Sequence, residues 1–135
     1  MSTQSPHQIL HPSHWKPAVG YANGVAAQGR MVFTGGIIGW NAQCEFETDD
    51  FVEQVAQALR SIVEVLAEAG ARPEHLVRLT WYVTDKRAYL DNLKGIGRAY
   101  RETIGKHYPA MALVQVVALV EDRAQVEIEA TAVIP

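Results

Sequence analysis

The stretch from Asp49 to Gly70 constrains this chain more than any other, because its apolar residues recur at the period of an α-helix. Val52, Val55, Ala56, Leu59, Ile62, Val63, Leu66 and Ala69 fall on one stripe, and Glu53, Gln57, Arg60, Glu64 and Glu68 lie opposite. Thr48, Asp49 or Asp50 can cap its start, and Gly70 closes it. A helix this one-sided must bury its stripe against another layer. The rest of the chain offers mostly strands, which makes the expected class α+β.

The clearest strand is "QVEIEATAV" (125 to 133), where Val126, Ile128, Ala130 and Ala132 alternate with Gln125, Glu127, Glu129 and Thr131. One face is apolar and the other carries two carboxylates. "HLVRLTWYVTD" (75 to 85) is a β-rich strand, and "HQIL" (7 to 10) is a possible first one. "GVAAQGRMVFTGGII" (24 to 38) has two short apolar runs about Gln28-Gly29, a hairpin signal. Gly35 and Gly36 at its end mark a bulge, a close approach of a ligand or another backbone, or a simple strand exit. A second helix is expected from Tyr89 to Ile104, with Leu90, Leu93, Ile96, Ala99 and Tyr100 inward and Gly105 as its stop.

"ALVQVVALV" (112 to 120) reads as a strand apolar on both faces. Two helices cover only one face of a sheet, so the other face of this strand needs a cover that the chain does not supply. The inference is a homo-oligomer packing sheet edges or faces together, with Glu127 near a subunit boundary. The expected architecture is a six-stranded mixed sheet with two helices on one face.

A chain of 135 residues is one domain's worth, here residues 1-135. With 48% hydrophobic and 20% charged residues it has the balance of a soluble globular protein. Its 12 Lys and Arg against 15 Asp and Glu argue against a general nucleic-acid binder. The lone Cys44 cannot form an intrachain disulfide, and "MSTQSPHQIL" lacks the basic start and apolar run of a secretory signal. A cytoplasmic protein is expected, with no membrane partner.

P-loop, GxGxxG, HExxH and CxxC motifs are absent. A histidine pair in "HPSHW" (His11, His14) lacks nearby residues to complete a metal site, so no metal is expected. Cys44, between acidic neighbours, lacks the electropositive surroundings of a reactive thiolate. Trp15, Trp40 and Trp81 read as packing residues. Glu127, in mid-strand, is either a general base that positions water or a solvated face residue.

Six segments, "GYANGV" (20 to 25), "RMVFTGGI" (30 to 37), "LAEAG" (66 to 70), "LVRLTWYVTD" (76 to 85), "YPAMALVQV" (108 to 116) and "VEIEATAV" (126 to 133), resemble the RidA family, also called YjgF/YER057c/UK114 and formerly endoribonuclease L-PSP. The resemblance runs from about residue 17 to 134. It implies a chorismate mutase-like α+β fold, a homotrimer with a central barrel, and ligand clefts between subunits. Active members hydrolyse reactive enamines and imines such as 2-aminoacrylate to keto acids and ammonia, without a cofactor. By the same resemblance Tyr21 matches the cleft-closing tyrosine, Glu127 the water-positioning glutamate and Tyr89 an aromatic cleft residue.

The departure is Met111, which stands where the family places an arginine that holds the substrate carboxylate. Leu113 replaces a cysteine, and Gly35 and Ile37 stand where a serine and a glutamine often occur. A bidentate arginine–carboxylate contact has charged hydrogen bonds worth about 1.5 to 3 kcal/mol apiece, and Met111 offers none of it. The change leaves a buried Glu127 without an opposite charge. Three readings follow. In the first, Glu127 and Tyr21 act on an imine other than 2-aminoacrylate, in a cleft lined by Met111, Leu113, Gly35, Gly36, Ile37 and Tyr89. In the second, the trimer binds a small ligand or a partner without catalysis. The third, a ribonuclease or translation inhibitor, is disfavoured by the acidic composition.

Overall fold

The computed structural model describes residues 5–135. The first four residues of the N-terminal stretch read above therefore lie outside the described part. Strand β1 (Gln8–Leu10) pairs antiparallel with β2 (Gly24–Ala26) in a small two-stranded sheet. The main sheet comprises β3 (Arg30–Phe33), β4 (Ile37–Ile38), β5 (Leu76–Val83), β6 (Ala110–Gln115) and β7 (Val126–Ile134). Its order is β3-β7-β5-β6, with β4 also on β7, and β5–β6 is its parallel pair. The architecture is α+β with a mixed sheet, as expected, but the strands divide into a sheet of five and a separate pair rather than one sheet of six.

Helix α1 (Phe51–Glu68) follows the sequence pattern closely. Asp50 supplies its cap, accepting from the Glu53 N–H at 3.0 Å, and Gly70 turns out with φ of 78°. Its buried face carries Phe51, Val55, Ala58, Leu59, Ile62 and Leu66. It packs on β7 and on the second long helix, and meets the sheet residues Leu79, Trp81, Val83, Val126, Ile128 and Ala130 in one core. Burial of the Val, Leu, Ile and Phe side chains among them stabilises by about 1.5 to 3 kcal/mol apiece.

Three expectations are corrected. The region 24–38 does not form a hairpin: β2 pairs back with β1, while β3 runs along β7 with Arg30 opposite Ile134 and Phe33 opposite Thr131. Gly29 makes this possible, since any side chain there would run into the backbone of Ile134 and Pro135. The second helix is two helices, α2 (Lys86–Leu90) and α3 (Leu93–Thr103). Asp85 caps α2 by accepting from the Arg87 N–H, and the chain re-aims at Asn92, leaving Leu90 and Leu93 exposed while Ile96, Ala99 and Tyr100 are buried. Gly95 brings α3 against Val52 of α1.

The apolar run 112–120 is not one strand. Strand β6 ends at Gln115, whose side chain is drawn to the Lys86 N–H at 2.8 Å, and the chain leaves the sheet after Val116 donates to the Val83 carbonyl. Val117 is fully exposed in the single chain. The apolar residues of this run thus belong half to an edge strand and half to a loop.

Candidate functional site

The carboxylate half of the candidate site is built on β7. Glu127 alternates with the buried Val126 and Ile128, so its side chain projects from the face of the sheet opposite the helices. Its cross-strand neighbours are Tyr82 and Ile38. The carboxylate lies against Gly36, where a Cβ would overlap it. The Gly35-Gly36 pair is therefore a close approach at Gly36, whereas Gly35 faces open space. Thr34 holds this break between β3 and β4 in place. Its N–H donates to the Ala130 carbonyl at 2.9 Å, and its hydroxyl accepts from the Ala130 N–H at 3.0 Å.

Among the described residues Glu127 joins no ion pair. It is partly buried in the single chain. Glu129 beside it is engaged, accepting from the Tyr82 hydroxyl at 3.0 Å. That hydrogen bond raises the Tyr82 hydroxyl above the usual phenol range, with burial adding to it.

The second half is a groove of about 820 Å³ between α3, β6 and the segment 18–21. Tyr21, Tyr89, Met111 and Leu113, all anticipated from sequence, line it together. Trp81 and Tyr89 meet edge to face with ring centroids 6.3 Å apart, and burial raises the Tyr89 hydroxyl. Tyr100 and Tyr108 stack at 5.2 Å, and the Tyr100 hydroxyl donates to the His107 carbonyl. Tyr21 is positioned by its neighbour Ala22, whose N–H donates to the Pro109 carbonyl at 2.9 Å. Tyr21 also borders a second cavity of about 440 Å³ toward His11, Glu74 and Lys106.

The two halves do not meet within one chain. Met111 pairs with Leu79 and Leu113 with Trp81, both buried on the helix side of the sheet. Glu127 pairs with Tyr82, one residue on from Trp81, and so belongs to the other face. Ile37 pairs with Ile128 and packs on the core, away from Glu127. The structure thus places Tyr21, Tyr89, Met111 and Leu113 in one group, Gly36 and Glu127 in another, and Gly35 and Ile37 in neither.

Sequence reading assigned Trp81 only to packing and gave Tyr108 no role in the groove, whereas Arg101 is, with Arg30 and Arg98, among the arginines it leaves open as candidates for the cleft, and Arg101 lines it. The signal for Tyr108 was its place before Pro109, at the entry to β6. Among the described residues no group of three or more His, Cys, Asp or Glu is placed to hold a metal ion. His11 is instead hydrogen-bonded to the Trp15 carbonyl and to Asn23. No helix among them is long and apolar enough to cross a membrane.

The family model described as endoribonuclease L-PSP matches residues 12–134. A crystal structure of a protein of unknown function of the conserved Rid family from Yersinia pestis is 32% identical. It superposes with a TM-score of 0.84 over 95% of this chain and 98% of that one. A RutC family protein of Aquifex aeolicus is 32% identical over 81% of this chain and 94% of its own. A goat protein named 2-iminobutanoate/2-iminopropanoate deaminase is 29% identical, over 93% of this chain and 89% of its own.

Proposed function

Because this chain belongs to the endoribonuclease L-PSP family, the RidA family, we propose that it hydrolyses a reactive imine or enamine to a carbonyl compound and ammonia. Glu127 is the water-activating base. The observation that carries this reading is the placement of the Glu127 carboxylate against the bare backbone of Gly36, partly open and free of any ion pair among the described residues. A carboxylate so held can take a proton from water while the oxygen adds to the imine carbon. Returning that proton to nitrogen gives the carbinolamine, and passing its hydroxyl proton to nitrogen as the carbonyl forms breaks the carbon–nitrogen bond, so one water and one imine become one carbonyl compound and one ammonia. The named activity of the goat relative supports the reaction class.

The substrate is one other than 2-aminoacrylate. Met111 and Leu113 give the groove an apolar wall where an arginine would hold a carboxylate beside the imine carbon. The substrate therefore lacks an acid group there or carries it elsewhere. Tyr21 and Tyr89 line the approach.

Catalysis by both halves requires a second copy of the chain, because Glu127 and Met111 stand on opposite faces of the sheet. The helix-free face supports such an assembly. It presents Phe33, 65% exposed, Met31, 58% exposed, and Val114 in the single chain. A homotrimer closing this face into a central barrel would bring the Glu127 of one copy to the groove of the next.

The test is ammonia release from freshly generated imines, with and without a carboxylate next to the imine carbon. Turnover of the carboxylate-free imines, lost in Glu127→Gln by about 10²- to 10⁴-fold, is the expected result. If no imine is turned over, and Met111→Arg stays silent as well, the protein is a non-catalytic binder.

A further inference from the structure

We propose that the groove takes a ligand with an aromatic body and a carboxylate, and that Arg101 of α3 holds the acid group. The inference deepens the proposed hydrolysis by naming its substrate class, and it rests on that reading only for what happens at the imine carbon.

Arg101 is the one charged residue lining the groove, and no Asp or Glu lines it. Its guanidinium lies back along α3 over Gly97. A Cβ at position 97 would sit 3.2 Å from Nη1 and 4.0 Å from Cζ. Glycine is disfavoured inside a helix, and here a side chain would crowd the guanidinium where it lies. Arg72, Arg87 and Arg123 are each engaged with a carboxylate, whereas Arg101 forms no ion pair among the described residues. A guanidinium without a carboxylate in an aromatic groove is suited to bidentate capture of a ligand's own acid group.

The remaining lining fits the rest of such a molecule. Trp81, Tyr89, Tyr100 and Tyr108 line the groove with aromatic carbon, and a flat ring packs on such side chains at offset or edge-on geometry. Trp81 is 3% exposed, and its indole N–H is buried without a hydrogen-bond partner. Met111 and Leu113 on the β6 wall meet apolar carbon. Arg101 is the one side chain of the lining that carries a charge, and it is positive. Its volume of about 820 Å³ admits a ligand of one ring and a short chain. The acid group then sits at the α3 wall, and the carbon next to it need not be the reacting one.

The experiment is calorimetric titration of the intact protein with hydrocinnamate and with its neutral counterpart, hydrocinnamyl alcohol. Wild type should bind the carboxylate about 10- to 100-fold more tightly than the alcohol. Arg101→Gln should erase that preference while leaving the alcohol's affinity in place, and Arg101→Lys should restore part of it, as a point charge without the guanidinium fork. Equal binding of the two ligands by wild type, an unchanged preference in Arg101→Gln, or binding of neither ligand overturns the proposal. Arg101-dependent binding in a protein that releases no ammonia would discard the hydrolysis and keep the anion site. Turnover without any carboxylate preference would do the reverse.

Discussion

Gly36 and Glu127 are in such close contact that even a methyl group on the glycine would occupy the position of the glutamate carboxylate. The contact ties the break between β3 and β4 to the one carboxylate assigned a chemical role. Gly36→Ala should therefore displace the Glu127 side chain while the fold survives, since the affected group is the mobile end of a side chain. Ammonia release should fall by about 10²-fold with the circular dichroism spectrum unchanged. Retention of full activity would detach Gly36 from the site.

Met111→Arg should confer 2-aminoacrylate hydrolysis, or raise a weak activity by about tenfold or more, by supplying the charged contact that the methionine lacks. The measurement is the initial rate of ammonia release from enzymatically generated 2-aminoacrylate. Near-normal turnover by the wild type would instead show that the missing arginine does not restrict the substrate.

Gln54 is fully buried on α1 and ties three backbone groups together. Its Nε2 donates to the carbonyls of Thr48 and Arg123 at 3.1 and 3.0 Å, and its Oε1 accepts from the Gln125 N–H at 2.9 Å. Gln54→Leu keeps the bulk but strands those groups in the interior. The expected loss is about 2–4 kcal/mol, read from urea unfolding midpoints. A loss smaller than that of an exposed control such as Arg60→Ala would contradict the assignment.

His75 predicts a pH dependence of stability. Its Nδ1 accepts from the Arg72 N–H at 2.9 Å, a bond that protonation destroys. Burial lowers its pKa below 6.5, Glu74 opposes this, and Arg72 and His7 add to the lowering. Between the folded value and 6.5 the unfolded chain binds more protons, so stability rises with pH in that interval. The contribution is complete above the unfolded value and is lost as pH falls through the folded one. Urea midpoints measured from pH 7 downward should decline more steeply in wild type than in His75→Gln.

Local periodicity made much of the fold legible. The stripe of α1, the alternation of β7 and the strand around Trp81 all follow from spacing within one segment, and each is found where the pattern puts it. The family, too, was readable from short motifs such as "VEIEATAV". Of the residues that the family resemblance assigns to one cleft, Tyr21, Tyr89, Met111 and Leu113 line one groove, whereas Glu127, Gly35, Gly36 and Ile37 do not.

What spacing could not decide was which strand lies beside which, and in what register. The run 24–38 looks like a hairpin because each half is a strand, yet β3 finds its partner about a hundred residues away on β7. The run 112–120 looks like one strand because its residues are apolar throughout, but it leaves the sheet where Val116 makes its last bond to Val83. Glu127 and Met111 each alternate correctly along their own strands. Only their registers against β5, Tyr82 for one and Leu79 for the other, set them on opposite faces. Likewise, the sequence shows Arg101 and Gly97 as four positions apart on a helix, but only the packing of α3 against α1 leaves that pair on an aromatic groove. Alternation along a strand is a local property of the backbone, whereas the face shared by two strands depends on a long-range register that neither strand carries alone.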